Sequence, residues 1–213
     1  MAYRETVRIR ERKAAQREAL VVAAEQLVRE QGFAGLTIQA VAARAGVGVG
    51  TLYRYFDAKE TLAAEVFSLA TEREVGAVAT AIRQPGPASA RLVHTVEVFA
   101  RRAMRAPRLA WSLIAEPAEP AVDAARNDYR RAYAELFRDL LTEGVEAGEL
   151  PAQNCTLAAA ALVGAMAEAL LGPLAERQNT QQVVADLQAL CLRAVGAELS
   201  PLVSTATHGA PDE

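Results

Sequence analysis

Histidine and cysteine are scarce, with two of each in 213 residues. Cys155 and Cys191 lie far apart in apolar helical patterns, so they read as buried thiols of a reducing compartment rather than as a disulfide framework. His94 and His208 share no ligand spacing with either cysteine, so no metal site and no cofactor are expected. A nucleophile elbow and a phosphate-binding loop are missing as well. An all-helical enzyme using Glu116, His94 or Glu97 as a base therefore has little to support it. The N-terminus is charged and lacks the apolar stretch of a secretory signal. The Ala-rich run near residues 156–172 is interrupted by Glu168, so no segment is expected to span a bilayer and a cytoplasmic location follows. No alternating strand pattern competes with the helical ones, and the only polar, low-order stretch is the tail, residues 201–213.

What the chain does have is helical periodicity with clear punctuation. Its length allows ~70% of the unfolded surface to be buried. A first helix is expected from about Lys13 to Glu30 on the stripe Ala19, Leu20, Ala23, Leu27 and Val28, stopped by Gly32. A long one should run from near Asp57 to about Ile82 through Leu62, Val66, Leu69, Ala70 and Val75, before the break Pro85-Gly86-Pro87. Further helices read as about 88–105, from Pro107 through Ile114, 121–147, 154–175 and 180–198.

Residues 37–62 carry the chemistry. The Thr37 hydroxyl can cap a short helix whose buried face is Ile38, Val41 and Ala42; Gly46 then tolerates the positive φ of a sharp turn. A very short second helix, about 48–55, offers Val49, Gly50, Thr51, Tyr53, Arg54 and Tyr55 to the outside or to its neighbour. Such a set suits a DNA duplex. Backbone N–H groups at Gly48 and Val49 can hold a phosphate, and Gly50 permits close approach. Thr51 and Tyr55 can bond phosphate oxygens, Arg54 can reach a phosphate or a guanine, and Val49 or Tyr53 can press on a thymine methyl. Asp57 and Glu60 have capping-box spacing, which would aim Lys59 at the DNA backbone.

Charge is distributed accordingly. Residues 1–60 hold ten Lys or Arg against seven Asp or Glu, whereas the rest holds 13 against 19, for −3 overall. Arg4, Arg8, Arg10, Arg12, Lys13 and Arg17 crowd the N-terminal arm, which reads either as a flexible segment reaching the DNA or as a solvated start.

Gly32-Phe33, Leu36-Thr37-Ile38, Ala45-Gly46-Val47, the run Gly50-Thr51-Leu52-Tyr53-Arg54-Tyr55-Phe56 and Lys59-Glu60 together resemble the DNA-binding domain of the TetR (tetracycline-repressor-like) family of bacterial transcriptional regulators. One departure is visible: the family commonly has a small hydroxyl residue and then often a polar one where this chain has Gly48 and Val49, so a contact at Gly48 would use the backbone N–H. The resemblance covers about the first third of the chain. It implies an all-α fold, with an N-terminal three-helix helix-turn-helix domain (residues 1–60) and a larger C-terminal helical domain for ligand binding and dimerisation (61–200). It also implies a regulator, read here as a repressor that binds a palindromic operator as a homodimer and is released by an effector. A helical protein-interaction adaptor is the alternative.

In the C-terminal half, small and large residues alternate around Leu162 and Ala165, and Leu187, Leu190 and Ala194 repeat at helical spacing. Across a two-fold axis they would make a four-helix interface. Phe99, Met104, Trp111, Tyr129, Tyr133, Phe137 and Met166, with His94, Glu97, Glu116 and Arg126 near them in sequence, can line a cavity for a small apolar or aromatic effector.

Overall fold

The computed structural model describes residues 7–197; Arg4 and the tail 201–213 lie outside the described residues. Among those residues the chain forms helices and no strand: α1 Val7–Gln31, a 3-10 turn Phe33–Gly35, α2 Ile38–Arg44, α3 Val49–Tyr53, α4 Lys59–Ile82, α5 Ala88–Arg105, α6 Pro107–Ile114, α7 Pro120–Glu146, α8 Cys155–Glu176 and α9 Thr180–Ala194.

Local chemistry explains most of the boundaries. Gly32 ends α1 at φ 77° and Gly46 turns the chain between α2 and α3 at φ 66°, in the left-handed region where a side chain is strained. The Thr37 hydroxyl accepts from the Ala40 N–H at 3.1 Å, and Asn154 and Asn179 cap α8 and α9 in the same way. Pro107 and Pro120 open α6 and α7 in first turns, where a missing N–H costs nothing.

Several expectations need correcting. α1 begins at Val7, so Arg8, Arg10 and Arg12 ride on a helix instead of a flexible arm. Ala19 faces solvent while Ala24 takes its place in the buried stripe, because Leu20, Ala24, Leu27 and Val28 share one helical face. α4 starts after Ala58, which makes no side-chain capping bond, so the Asp57–Glu60 capping box does not form. α9 stops at Ala194.

The helices close two buried clusters. One gathers α1, α2, α3 and the first half of α4 around Leu20, Leu52, Phe56 and Phe67, and it takes in Leu109 of α6 and Val122 of α7. The other joins α5, α7, α8 and α9 around Leu92, Phe137, Leu162, Met166 and Leu187. A boundary at residue 60 therefore cuts the first cluster, which reaches Phe67. Leu162 and Leu187, expected at a dimer interface, are instead buried in the chain's own core, Leu187 to 4%. They belong to the apolar side of α8 and α9 that packs inward, while Leu190 and Ala194 face out.

α8 also corrects the reading of residues 156–172. By length and composition alone it could cross a membrane, with a mean hydropathy of 1.8 over its best window, and only 28% of that window is buried. One charged residue, Glu168, does not lower that average enough to exclude it. Its inner side packs on α7 and α9, so the remaining apolar surface looks outward from a helix bundle.

α1 is fastened to α4 by charge. The nearly buried Glu25 carboxylate accepts from Arg29 at 2.8 Å and from Arg73 of α4 at 2.5 Å. Burial works to raise its pKa, but the Arg73 and Arg29 bonds and charges outweigh burial and hold it below the ordinary 4.5. A depressed folded pKa contributes stability that is complete above the unfolded value and is lost as pH falls through the folded one. Thermal melts should therefore drop as pH falls below the ordinary 4.5, and Glu25→Gln should lower the melting temperature at pH 7 while flattening that acid limb.

Candidate functional site

Helices α2 and α3 meet through a tight turn in which the Val47 N–H bonds the Ala42 carbonyl at 2.9 Å. Leu52 is fully buried, which turns the rest of the five-residue α3 outward. Val49 is 38% and Tyr53 50% exposed, two of only five large apolar side chains so exposed among the described residues. Gly48, Gly50 and Arg54 are exposed beside them, and Thr51 and Tyr55 are half-buried. Exposed Thr37 uses its oxygen as a cap acceptor, leaving its hydroxyl proton for a phosphate. Apolar side chains held out to water on so small a helix have no structural benefit. They suit a groove with methyl groups and base edges.

Lys59 is placed differently from expectation. Its ammonium is paired with Glu119, the residue preceding α7, and this pair outweighs burial in holding the Glu119 carboxyl below its usual range. With no capping box to aim it at DNA, Lys59 ties the start of α4 to the start of α7. Arg17 is likewise occupied, pairing with Glu65 and lying 4.9 Å over the Phe56 ring.

The junction between the two halves holds a group that sequence reasoning left as a candidate base. Glu116, in the loop between α6 and α7, is 3% exposed, and its carboxylate accepts from the Phe33 N–H at 2.8 Å and the Ala34 N–H at 3.2 Å. A Cβ on Gly32 would stand 2.5 Å from a Glu116 oxygen, so only glycine lets the turn sit on the carboxylate. Arg108 stands 3.8 Å from that carboxylate and donates to the Gln31 carbonyl at 2.6 Å. Arg126 of α7 completes the loop: it donates to the carbonyls of Leu113 at 3.0 Å and Glu116 at 2.7 Å, capping the end of α6 with a cation. The other two candidate bases are elsewhere, His94 on the exposed side of α5 and Glu97 in an ion pair with Arg101.

A cavity of about 430 Å³ lies between α4, α5, α6, α7 and α8. Of the expected residues, Phe99, Tyr129, Tyr133 and Met166 line it. Met104, Trp111 and Phe137 do not. Phe137 is fully buried one turn further along α7, Met104 packs on the same core, and Trp111 lies under the Arg108 guanidinium at 5.0 Å. The stripe that α6 gives to the cavity is Leu109, Ala110, Leu113 and Ile114, a helical i, i+4 pattern that leaves Trp111 outside. Arg126, expected near the cavity, lines it too, whereas sequence reasoning passed over that stripe, Phe67 and Thr71 of α4, and Arg29, Arg102, Arg105 and Arg130. Tyr129 closes one wall by donating to the Ser68 carbonyl at 2.9 Å, and Arg126 lies 5.7 Å over the Phe67 ring. Cavity, α6–α7 loop and helix-turn-helix therefore share side chains: Arg126 touches the first, holds the second, and through Glu116 reaches the third.

The C-terminal faces expected to pair are partly available. Leu157 is 68% exposed, Ala161, Gly164, Leu190 and Ala194 are exposed, and Ala165 is half-buried.

Comparison with known proteins agrees with this geometry. Residues 20–66 match the family profile of bacterial regulatory proteins, tetR family, and residues 85–170 match that of the tetracyclin repressor-like C-terminal domain. An uncharacterised helix-turn-helix-type transcriptional regulator of Mycobacterium bovis is 36% identical over 121 residues, covering 56% of this chain and 54% of that protein. The chain thus spans about half the length of the curated relatives it matches. Among solved structures, the fatty acid degradation regulator FadR from Bacillus halodurans superposes with a TM-score of 0.70 at 22% identity, over 82% of this chain and 97% of its own. FadR from Bacillus subtilis, solved in complex with stearoyl-CoA, gives 0.68 at 20% identity over 90% and 99%. The outward apolar recognition helix, the two profile matches and the shared fold agree, and this chain belongs to the tetR family of bacterial regulatory proteins.

Proposed function

We propose that the chain is a transcriptional repressor that binds a palindromic operator as a homodimer and lets go when an effector fills the α4–α8 cavity. The observation that carries this reading is the exposure of Val49 and Tyr53 on α3, with Arg54 unpartnered among the described residues beside them. Operator binding places the protein in the bacterial cytoplasm. The reading is not enzymatic, with Glu116 serving as an internal acceptor; an adaptor could also use exposed apolar side chains, and the tetR-family profile over residues 20–66 favours DNA.

The proposed partner across the outward face of α8 and α9 is a second copy of the chain. Two-fold pairing of these small residues lets helices approach closely and sets two α3 helices at successive major grooves. Release follows from the shared side chains. An occupant of the cavity that repositions Arg126 or Leu113 shifts the loop carrying Glu116, hence the turn on which α2 and α3 are mounted. Only differential affinity for the two arrangements can drive this. A structure of the same fold in complex with stearoyl-CoA supports a ligand-occupied state.

Three tests bear on this. First, an operator can be selected from a random duplex pool and binding measured over a salt series. Tyr53→Ala should cost roughly 1–3 kcal/mol on the operator and little on random DNA. Arg54→Ala should weaken both, with a salt slope lower by about one ion, and Lys59→Ala should change that slope less because Glu119 holds it. Equal losses for Tyr53→Ala on both duplexes would make Tyr53 a backbone contact. Second, sedimentation should show a dimer that the double variant Ala161→Glu/Leu190→Glu splits into folded monomers, whereas Leu187→Glu should unfold the chain by burying an unpaired carboxylate. A dimer indifferent to the double variant puts the interface elsewhere. Third, Glu116→Gln leaves one of the two turn amides without its acceptor. It should reduce operator affinity about tenfold with near-native helicity by circular dichroism; unchanged affinity would disconnect the junction from DNA binding.

A further inference from the structure

We propose that the effector is an anionic amphiphile, an apolar or aromatic body bearing a carboxylate, sulfonate or phosphate, held by Arg105 and Arg130 with the Tyr133 hydroxyl as a further donor. This rests on the cavity being the effector site and adds the charge of its occupant.

The walls are apolar, yet five arginines and a single acid, Glu74, contribute to them, four of the five from residues 61–213, where acids outnumber bases. Three of the arginines are already matched. Arg29 bonds Glu25, Arg102 binds both oxygens of Glu74 at 2.6 and 2.9 Å, and Arg126 bonds Asp123 and the carbonyls closing α6. Arg105 and Arg130 are exposed at the rim of the cavity and have neither a hydrogen-bond nor an ion-pair partner among the described residues. Arg130 also stands in the wall shared with a more open groove of about 810 Å³ between α7 and α8, so a head group there would have a path to solvent.

Among the uncharged residues lining the cavity, Thr71 and Tyr129 have their hydroxyls bonded to carbonyls of α4, and Tyr133 carries one that is still free. Its ring meets Phe99 edge-on, with centroids 6.0 Å apart, and its hydroxyl makes no hydrogen bond among the described residues. Burial, then Glu74, raises its pKa, so at neutral pH it is a protonated donor.

The charge of the occupant follows from these two cations at the rim. A neutral head group reaching them displaces part of their water without replacing its hydrogen bonds, and a cation adds repulsion. An anion replaces the lost hydration with charge-assisted bonds, which guanidinium can form in parallel pairs. The volume, about 430 Å³, falls in the ~300–1,000 Å³ range of small-molecule pockets.

Decanoate, decan-1-ol and decyltrimethylammonium share a body of suitable size and differ in head-group charge. Each is titrated calorimetrically, below its micellar concentration, into the full chain, into Arg105→Gln/Arg130→Gln and into Tyr133→Phe. Decanoate should bind at least about tenfold tighter than decanol, and the cation weakest. The double variant should lose that preference while holding decanol within about twofold, and Tyr133→Phe should weaken decanoate by a few-fold. Equal binding of decanoate and decanol, preference for the cation, or a preference for decanoate that survives in the double variant overturns the assignment while leaving the cavity an effector site. If none of the three binds, and naphthalene-2-carboxylate at millimolar concentration does not bind either, the effector-site reading falls with it.

Discussion

A carboxylate buried where two helical clusters meet is the constraint around which this chain is organised. Glu116 is almost wholly removed from water, and an ionised group in that position is tolerable only if the lost hydration is replaced. The replacement comes from the other half of the molecule, from the amides of Phe33 and Ala34, with Arg108 at the edge. That demand fixes the residue at position 32, since any side chain there would collide with the carboxylate oxygens. It also fixes the geometry of the loop after α6, whose carbonyls need Arg126 as their donor. The junction is thus a bonded contact with a defined register.

Everything else at that boundary follows the same economy of charge. α1 and α4 are joined through Glu25 with Arg73 and through Arg17 with Glu65; α4 meets α7 through Lys59 and Glu119, and α5 through Glu74 and Arg102. Exposed pairs of this kind contribute little individually, and Arg131 with Asp128 on the surface of α7 is of that sort. The Glu25 group differs because its carboxylate is nearly buried and takes two arginines. α4 is a member of both buried clusters, with Leu62 and Phe67 in one and Ile82 in the other.

The reach of sequence reasoning follows the range of the forces involved. Helix boundaries were legible wherever a local residue decides them: Gly32, Thr37, Gly46 and Pro107 each act within a turn or two of chain. The outward side chains of α3 were legible for the same reason, because one buried position, Leu52, orients a five-residue helix. Partners distant in sequence were not. Nothing near Lys59 announces Glu119, and nothing near Glu116 announces the amides of Phe33 and Ala34. The cavity was half visible: aromatic residues drew attention, whereas Leu109 and Leu113 line it and Trp111 does not, since helical phase decides membership over residue type. The Leu187 and Leu190 pair shows the same limit, for one apolar stripe on α9 serves the interior and only its margin reaches the surface.

The length of α4 has a mechanical meaning. Its 24 residues make a rod of roughly 36 Å with one end embedded in each cluster. Hydrogen-bonded along its length, such a rod transmits rotation without absorbing it. A tilt of about five degrees about one end carries the other through roughly 3 Å, close to the 3.4 Å that separates successive base pairs. On the proposed reading of α3 as the helix that contacts DNA, a tilt of α4 by a few degrees is thus comparable to one base-pair step at the far end of the rod.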